Sequence, residues 1–183
     1  MNSNKRAQKV FGVTGWKNSG KTSLVVNLIT NLSARGLRVS TLKHAHHHFD
    51  IDKPGTDSHK HREAGAREVL IASGNRWALM HEIIEEQEAT MDDLLNQMTD
   101  VDLVIIEGYK LGDHPKLQVI REANNTDALP ESSSNLVALV SDADLNAADY
   151  GCEGPVFDLN DVESVANFIV DYCDLQSATQ SVL

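Results

Sequence analysis

Between residues 15 and 22 the chain reads Gly-Trp-Lys-Asn-Ser-Gly-Lys-Thr, which fits the spacing G-x-x-x-x-G-K-[ST]. That spacing suits a polyphosphate. Glycines let the backbone curl until successive amides converge on one oxyanion. A helix starting at the second glycine points its free N–H groups and positive dipole end at the same spot. The next lysine reaches the β- and γ-phosphates, and the hydroxyl after it ligates Mg2+. The candidate nucleotide-binding stretch is therefore Gly15, Trp16, Lys17, Asn18, Ser19, Gly20, Lys21, Thr22 and Ser23. Lys17 either adds charge near the phosphates or stays in solvent. Trp16 either covers the loop or packs beneath it.

Such a loop needs a carboxylate near the metal, at the end of a neighbouring strand. Leu-Val-Ile-Ile-Glu-Gly supplies Glu107, directly after four apolar residues and directly before Gly108. Ligands of open α/β sheets bind at the carboxyl ends of strands, so Asp102, at the other end of this run, is excluded. Aspartate is the usual residue at the position of Glu107. A glutamate there would hold Mg2+ through water or polarise an attacking water.

A histidine-rich stretch also follows a predicted strand end. His44, His46, His47 and His48 precede Asp50 and Asp52, with His59 and His61 further on. One reading is a transition-metal site, since neutral imidazoles suit Zn, Ni or Cu. Three adjacent histidines cannot all point one way on an extended chain, which opposes it. The reading favoured here is a ligand clamp. Lys43, His44 and Arg62 would be the donors, and Asp50 or Asp52 would face the water shell of the Mg2+. Asp52 thereby joins Thr22 and Glu107 as a metal-side candidate. A merely solvated loop is the third possibility.

These residues need elements to position them. Lys9–Thr14 reads as a strand, and the helix after the loop carries Leu24, Val25, Leu28, Ile29 and Leu32 at helical spacing, stopping at Arg35-Gly36. Residues 37–44 read as a strand in which Leu37, Val39 and Thr41 alternate against Arg38, Ser40 and Leu42. A short helix capped by Thr56 or Asp57 precedes a hairpin, residues 67–73 and 76–83 about a Gly74-Asn75 turn. A helix starts at Thr90, and Val101–Gly108 reads as a strand buried on both faces. Three more strands and a closing helix, Val162–Cys173 capped by Asp161, complete the pattern. The predicted fold is an α/β P-loop NTPase, a three-layer sandwich around a mainly parallel sheet with an added β-hairpin. One domain over 1–174 and a loose tail over 175–183 are predicted.

Composition bounds the rest. The 183 residues carry a net charge of −11, which argues against a nucleic-acid binder or an anionic membrane surface as partner. Two cysteines without a C-x-x-C pair suit a reducing compartment. No apolar run reaches the roughly 18 residues of a membrane span, and the first ten residues lack an apolar signal core. The predicted location is cytoplasmic.

Taken together, GWKNSGKTSL, LKHAHHHFDIDKPGTDS, REAGA, RWALMHE and DLVIIEGYK resemble the MobB family of molybdopterin-guanine dinucleotide biosynthesis adapters, over about Val10 to Asp142. The D-x-D-x-P-G-x-D-S and E-G-Y-K segments are more specific than the loop itself. The resemblance implies a GTP-binding, usually dimeric protein with weak GTPase activity. It implies a role assisting the guanylyltransferase MobA, which joins GMP to molybdopterin. It assigns Asp50, Asp52 and Asp57 to the nucleotide or cofactor site and Glu107 to the metal side. GTP, Mg2+ and molybdopterin are the implied ligands. The N-K-x-D signature of many GTPases is absent, so guanine comes mostly from the family; Asp142 or Asp144 could accept from guanine N1 and N2. Two rivals stay open. A P-loop metallochaperone GTPase would use the histidine-rich loop. A small-molecule kinase would need several lid arginines, and only Arg62 and Arg67 fall in the plausible stretch. Trp77 and Met80 are possible interface anchors.

Overall fold

Strand and helix alternate along the chain much as the apolar patterning predicts. The computed structural model describes residues 8–45, 49–84, 87–124, 127–130 and 133–176. The first half contains β1 (Val10–Gly15), α1 (Lys21–Ala34), β2 (Val39–Lys43), α2 (Asp57–Glu63), β3 (Glu68–Ala72) and β4 (Trp77–His81). The second contains α3 (Met91–Gln97), β5 (Leu103–Glu107), β6 (Lys116–Ile120), β7 (Leu136–Ser141), β8 (Val156–Asp158) and α4 (Val162–Tyr172). A 3₁₀ turn, Ala147–Tyr150, precedes β8. Two compact units result: Met1–His44 with Met98–Leu183, and Ala45–Gln97.

The first unit is built on a six-stranded sheet in the order β2-β5-β1-β6-β7-β8. Every neighbouring pair in it is parallel. All five residues of β5 are buried, as its continuous apolar run predicts. Residues alternate between faces. Phe11, Val13, Leu103, Ile105, Leu117, Val119, Ala138 and Val140 meet Leu24, Leu28 and Leu32 of α1 and Val165, Ala166 and Ile169 of α4 in one core. Phe11 packs edge-on against Phe168 and the half-exposed Tyr172, with centroids 6.3 and 5.9 Å away, and those two rings tilt against each other at 5.7 Å. Cys152 and Cys173 are free and buried. Arg35-Gly36 ends α1 as predicted: Gly36 has φ 82° and the Leu37 amide returns to Leu32 O. Asp161 caps α4 by accepting from the Ser164 amide at 3.1 Å. The alternation predicted for β2 differs in one respect: Leu42 is buried and Thr41 exposed. β2 is an edge strand, paired only with β5, so a single face cannot be inferred from its sequence.

The opposite face carries Ile120, Leu139 and Cys152 beneath the 3₁₀ turn. It also carries the link from β5 to β6, residues 108–115, which passes across β1 in eight residues. Parallel crossovers usually need about a dozen or more. Gly12 makes the short path possible: a Cβ there would lie 2.5 Å from His114 Nε2. Lys116, fully buried, donates from Nζ to the carbonyls of Gly112 and Ser134 and ties the link down. Burial pushes the Lys116 ammonium below its usual range and, more strongly, pushes His114 to about 4, with Lys116 adding to the His114 shift.

In the second unit β3 and β4 form the predicted antiparallel hairpin. Its outer residues Leu70, Trp77 and Leu79 are 42–67% exposed. Met80 is buried on the other face, so of the two anchors suggested by sequence only Trp77 is exposed. Thr90 and Asp93 cap α3 reciprocally, each side chain accepting from the other's amide. Thr56 starts α2 but donates its hydroxyl to Lys53 O. No described helix is long and apolar enough to cross a membrane.

Candidate nucleotide-binding site

The loop after β1 curls at three points. Gly15 has φ 142°, Asn18 φ 63° and Gly20 φ 96°. A Cβ on Gly15 would lie 2.5 Å from Val119 O, so only glycine fits there. Asparagine is among the few other residues that tolerate the left-handed region. α1 then begins at Lys21 with no side-chain cap and no acid in its first turn. Its leading amides and dipole are left for an external anion.

Side chains from β2, β5 and α1 meet at the start of the helix. Thr22 Oγ1 donates to Glu107 Oε1 at 2.9 Å, and Lys43 Nζ stands 3.0 Å from the same oxygen. Parallel pairing explains the meeting: Val13 and Lys43 both lie level with Glu107. Lys21 folds back, donating to Trp16 O at 2.5 Å. Burial pushes the Lys21 ammonium below its usual range; Glu107 opposes this, and Lys110 and Lys43 add to it. Asp102, at the far end of the run, takes Arg38 at 2.9 Å instead. The Ser19 hydroxyl is buried under the loop beside Gly15, so its side chain faces inward. His44 stacks on Tyr109 at 4.6 Å, and its amide donates to Glu107 O.

A hydroxyl and a carboxylate are hard oxygen donors of the kind Mg2+ prefers. The ion commonly takes one or two protein ligands and fills its octahedron with waters and phosphate oxygens. The pair Thr22 and Glu107 fits that requirement. Among the described residues no three His, Cys, Asp or Glu side chains gather as a metal site. His46, His47 and His48 lie outside the described residues.

Asp50 and Asp52 belong to the second unit, and there they bind an arginine. Arg62 lies 2.9 Å from Asp50, 2.6 Å from Asp52 and 2.9 Å from Glu82. The Arg62 hydrogen bond holds the Asp52 carboxyl below its usual range, and Asp52 holds the guanidinium above its own. A cavity of about 840 Å3 opens beside this cluster, walled by Phe49, Ile51, Met80 and Ile83. Asp57 pairs with Lys60 at 3.4 Å.

On the β6 side of the loop the structure adds Arg121 and Asn124, which sequence reasoning missed. Asn124 Nδ2 donates to Asn18 O at 2.9 Å, and Trp16 Nε1 donates to Asp127 O at 2.8 Å. Arg121 lies against Gly20, 3.6 Å from where a Cβ would stand. Asp142 holds that arginine at 3.5 Å and accepts from the Glu122 amide at 2.8 Å. Asp142 and Asp144 also line a pocket of about 350 Å3 at the carboxyl ends of β7 and β8. Lys110 sits 3.6 Å above the Trp16 ring. Lys110 had a sequence signal as the last residue of E-G-Y-K, whereas Arg121 and Asn124 had none.

Residues 10–142 match the family described as molybdopterin guanine dinucleotide synthesis protein B, MobB. The chain is 37% identical to the molybdopterin-guanine dinucleotide biosynthesis adapter protein of Escherichia coli K12, over 92% of this chain and 95% of that one. It is 36% identical to the Haemophilus influenzae protein of the same name, over 89% and 88%. A crystal structure of molybdopterin-guanine biosynthesis protein B superposes with a TM-score of 0.71 at 26% identity, over 89% of this chain and 99% of that one. A MobB homolog from Bacillus stearothermophilus shares the fold, with a TM-score of 0.68 at 24% identity.

Proposed function

From the premise that this chain belongs to the MobB family, we propose that it is a GTP-binding adapter in molybdopterin-guanine dinucleotide biosynthesis. It would assist a MobA-type guanylyltransferase in joining GMP to molybdopterin. The observation that carries the nucleotide reading is the Thr22–Glu107 contact, made where an uncapped helix begins after a loop curled at three positive-φ residues. Loop amides and Lys21 would bind the phosphates, and Thr22 and Glu107 would hold Mg2+. Bound Mg2+ would supply charge neutralisation of the triphosphate. Glu107 is also the residue able to orient a water. Fast hydrolysis commonly depends on an arginine worth about 10³–10⁵ in rate. Arg62 is committed to three carboxylates, so slow turnover is the expectation.

Molybdopterin is the second expected ligand. Asp50, Glu82 and Glu88 beside apolar walls suit the donor-rich amino-oxo edge of a pterin ring. The exposed hairpin face of Leu70, Trp77 and Leu79 suits a second copy of the chain, giving a homodimer. A cytoplasmic location fits both roles.

Calorimetry with GTP, ATP and molybdopterin, each with Mg2+, tests the reading on the wild type and Lys21→Ala. Tight GTP binding that weakens about a hundredfold in the variant, roughly 3 kcal/mol, is the expected result. Equal ATP and GTP affinity would remove the guanine-specific adapter role.

A further inference from the structure

We propose that Lys110 is a second phosphate-binding lysine, whose ammonium rests on the face of Trp16 and swings from there onto the terminal phosphate of a bound nucleoside triphosphate. The proposal rests on the nucleotide-binding reading above.

Local geometry puts Lys110 over the loop by construction. Immediately after Glu107 the backbone takes two positive-φ residues in succession, Gly108 at 102° and Tyr109 at 45°. A tyrosine in that region is strained. The His44 ring, 4.6 Å from the Tyr109 ring, holds it there. The bend returns the next residue toward the loop. Trp16 is a fixed platform, because its indole N–H is bonded to Asp127 O. The lysine thus reaches the rim of the phosphate loop from the strand end that carries Glu107, the metal-side carboxylate. Metal and terminal phosphates belong to the same end of a bound triphosphate. A cation arriving from that side therefore meets the terminal phosphate first.

Charge points the same way. Lys21, Lys43 and Lys110 all act on this site, and Lys110 is close enough to depress the Lys21 ammonium. Glu107 is the carboxylate that answers them, and Lys43 already takes it. In a chain of net charge −11 this concentration of ammonium groups needs an anion to offset its own repulsion. An aromatic face is a weak partner for an ammonium compared with a phosphate oxygen. The cation is therefore free to transfer.

Trp16 is itself the reporter. The chain holds two tryptophans, so Trp77→Phe leaves Trp16 as the sole emitter. In that background Mg-GTP and Mg-GDP are titrated against the parent, Lys110→Met, Lys110→Arg and Lys21→Ala. GTP should change Trp16 emission in the parent. Lys110→Met should abolish that change and weaken GTP about tenfold while leaving GDP within about twofold. Lys110→Arg should restore most of the GTP-to-GDP ratio. A Lys110→Met protein that loses GTP and GDP equally, or neither, overturns the proposal, since a mere prop for Trp16 would not discriminate the terminal phosphate. Undiminished binding by Lys21→Ala overturns the nucleotide-binding reading itself. Loss in Lys21→Ala with an unchanged ratio in Lys110→Met overturns the Lys110 assignment alone.

Discussion

The phosphate loop and the Arg62 cluster have opposite charge balances. At the loop Lys43 pairs with Glu107, Lys21 feels the charge of the same carboxylate, and Lys110 rests on Trp16 beside them. At Arg62 three carboxylates share one guanidinium. Each unit is locally well bonded, yet each leaves an excess of one sign. Such an excess raises self-repulsion and is relieved by a ligand of the other sign. The first region thus calls for a polyanion, the second for a cationic or hydrogen-bond-donating group. Arg62, which bridges the three carboxylates, is already spoken for.

Three variants would break or sharpen this contrast. The largest effect is expected from Glu107→Gln, which removes the carboxylate that Thr22 and Lys43 both contact. Affinity for Mg-GTP should fall about tenfold or more, while metal-free GTP loses less or gains. Calorimetry with Mg2+ and with EDTA reads the difference, and equal affinity in both conditions would separate Glu107 from the metal. Next, Arg62→Ala leaves three carboxylates without their cation and should lower the melting temperature. The sign with pH is fixed: Arg62 holds Asp52 below its ordinary 3.8, so the stabilisation is present above that pH and is lost as pH falls through the lowered value. Wild type and variant should therefore converge in acid; a gap that stays constant would show that packing alone is lost.

The smallest effect concerns His114, a base whose burial, with Lys116 adding to it, outweighs the opposing charge of Asp113. Its folded value, about 4, lies below the ordinary 6.5. Stability from keeping it neutral is complete above 6.5 and is lost as pH falls toward 4. His114→Asn should flatten urea midpoints across that window. An unchanged slope would mean that the imidazole reaches solvent.

The loop was legible because its fixed positions encode backbone curvature and charge together. Glu107 was legible as the last residue of a buried apolar run. Both depend on local pattern. Arg121 and Asn124 did not stand out because connections without periodicity decide where they land, and Lys110 stood out only as a letter of E-G-Y-K, not for its place over Trp16. The role of Gly12 is invisible until His114 is seen upon it. Arg62 read as a donor for a ligand, but Asp50, Asp52 and Glu82 claim it from within its own unit. Asp142 read as a base-reading acceptor, and it binds the Glu122 amide and Arg121. In both cases a charged side chain found a partner distant in sequence, which spacing cannot reveal.

The eight-residue link between β5 and β6 is short because the two strands are staggered. Glu107 ends level with Val13 and Lys116 begins level with Gly12, so the chain only steps sideways past β1 and need not run back along a strand. The carboxyl end of β6 is thereby carried past that of β5, and Arg121 and Asn124 are delivered to the far side of the loop that Glu107 meets from the near side.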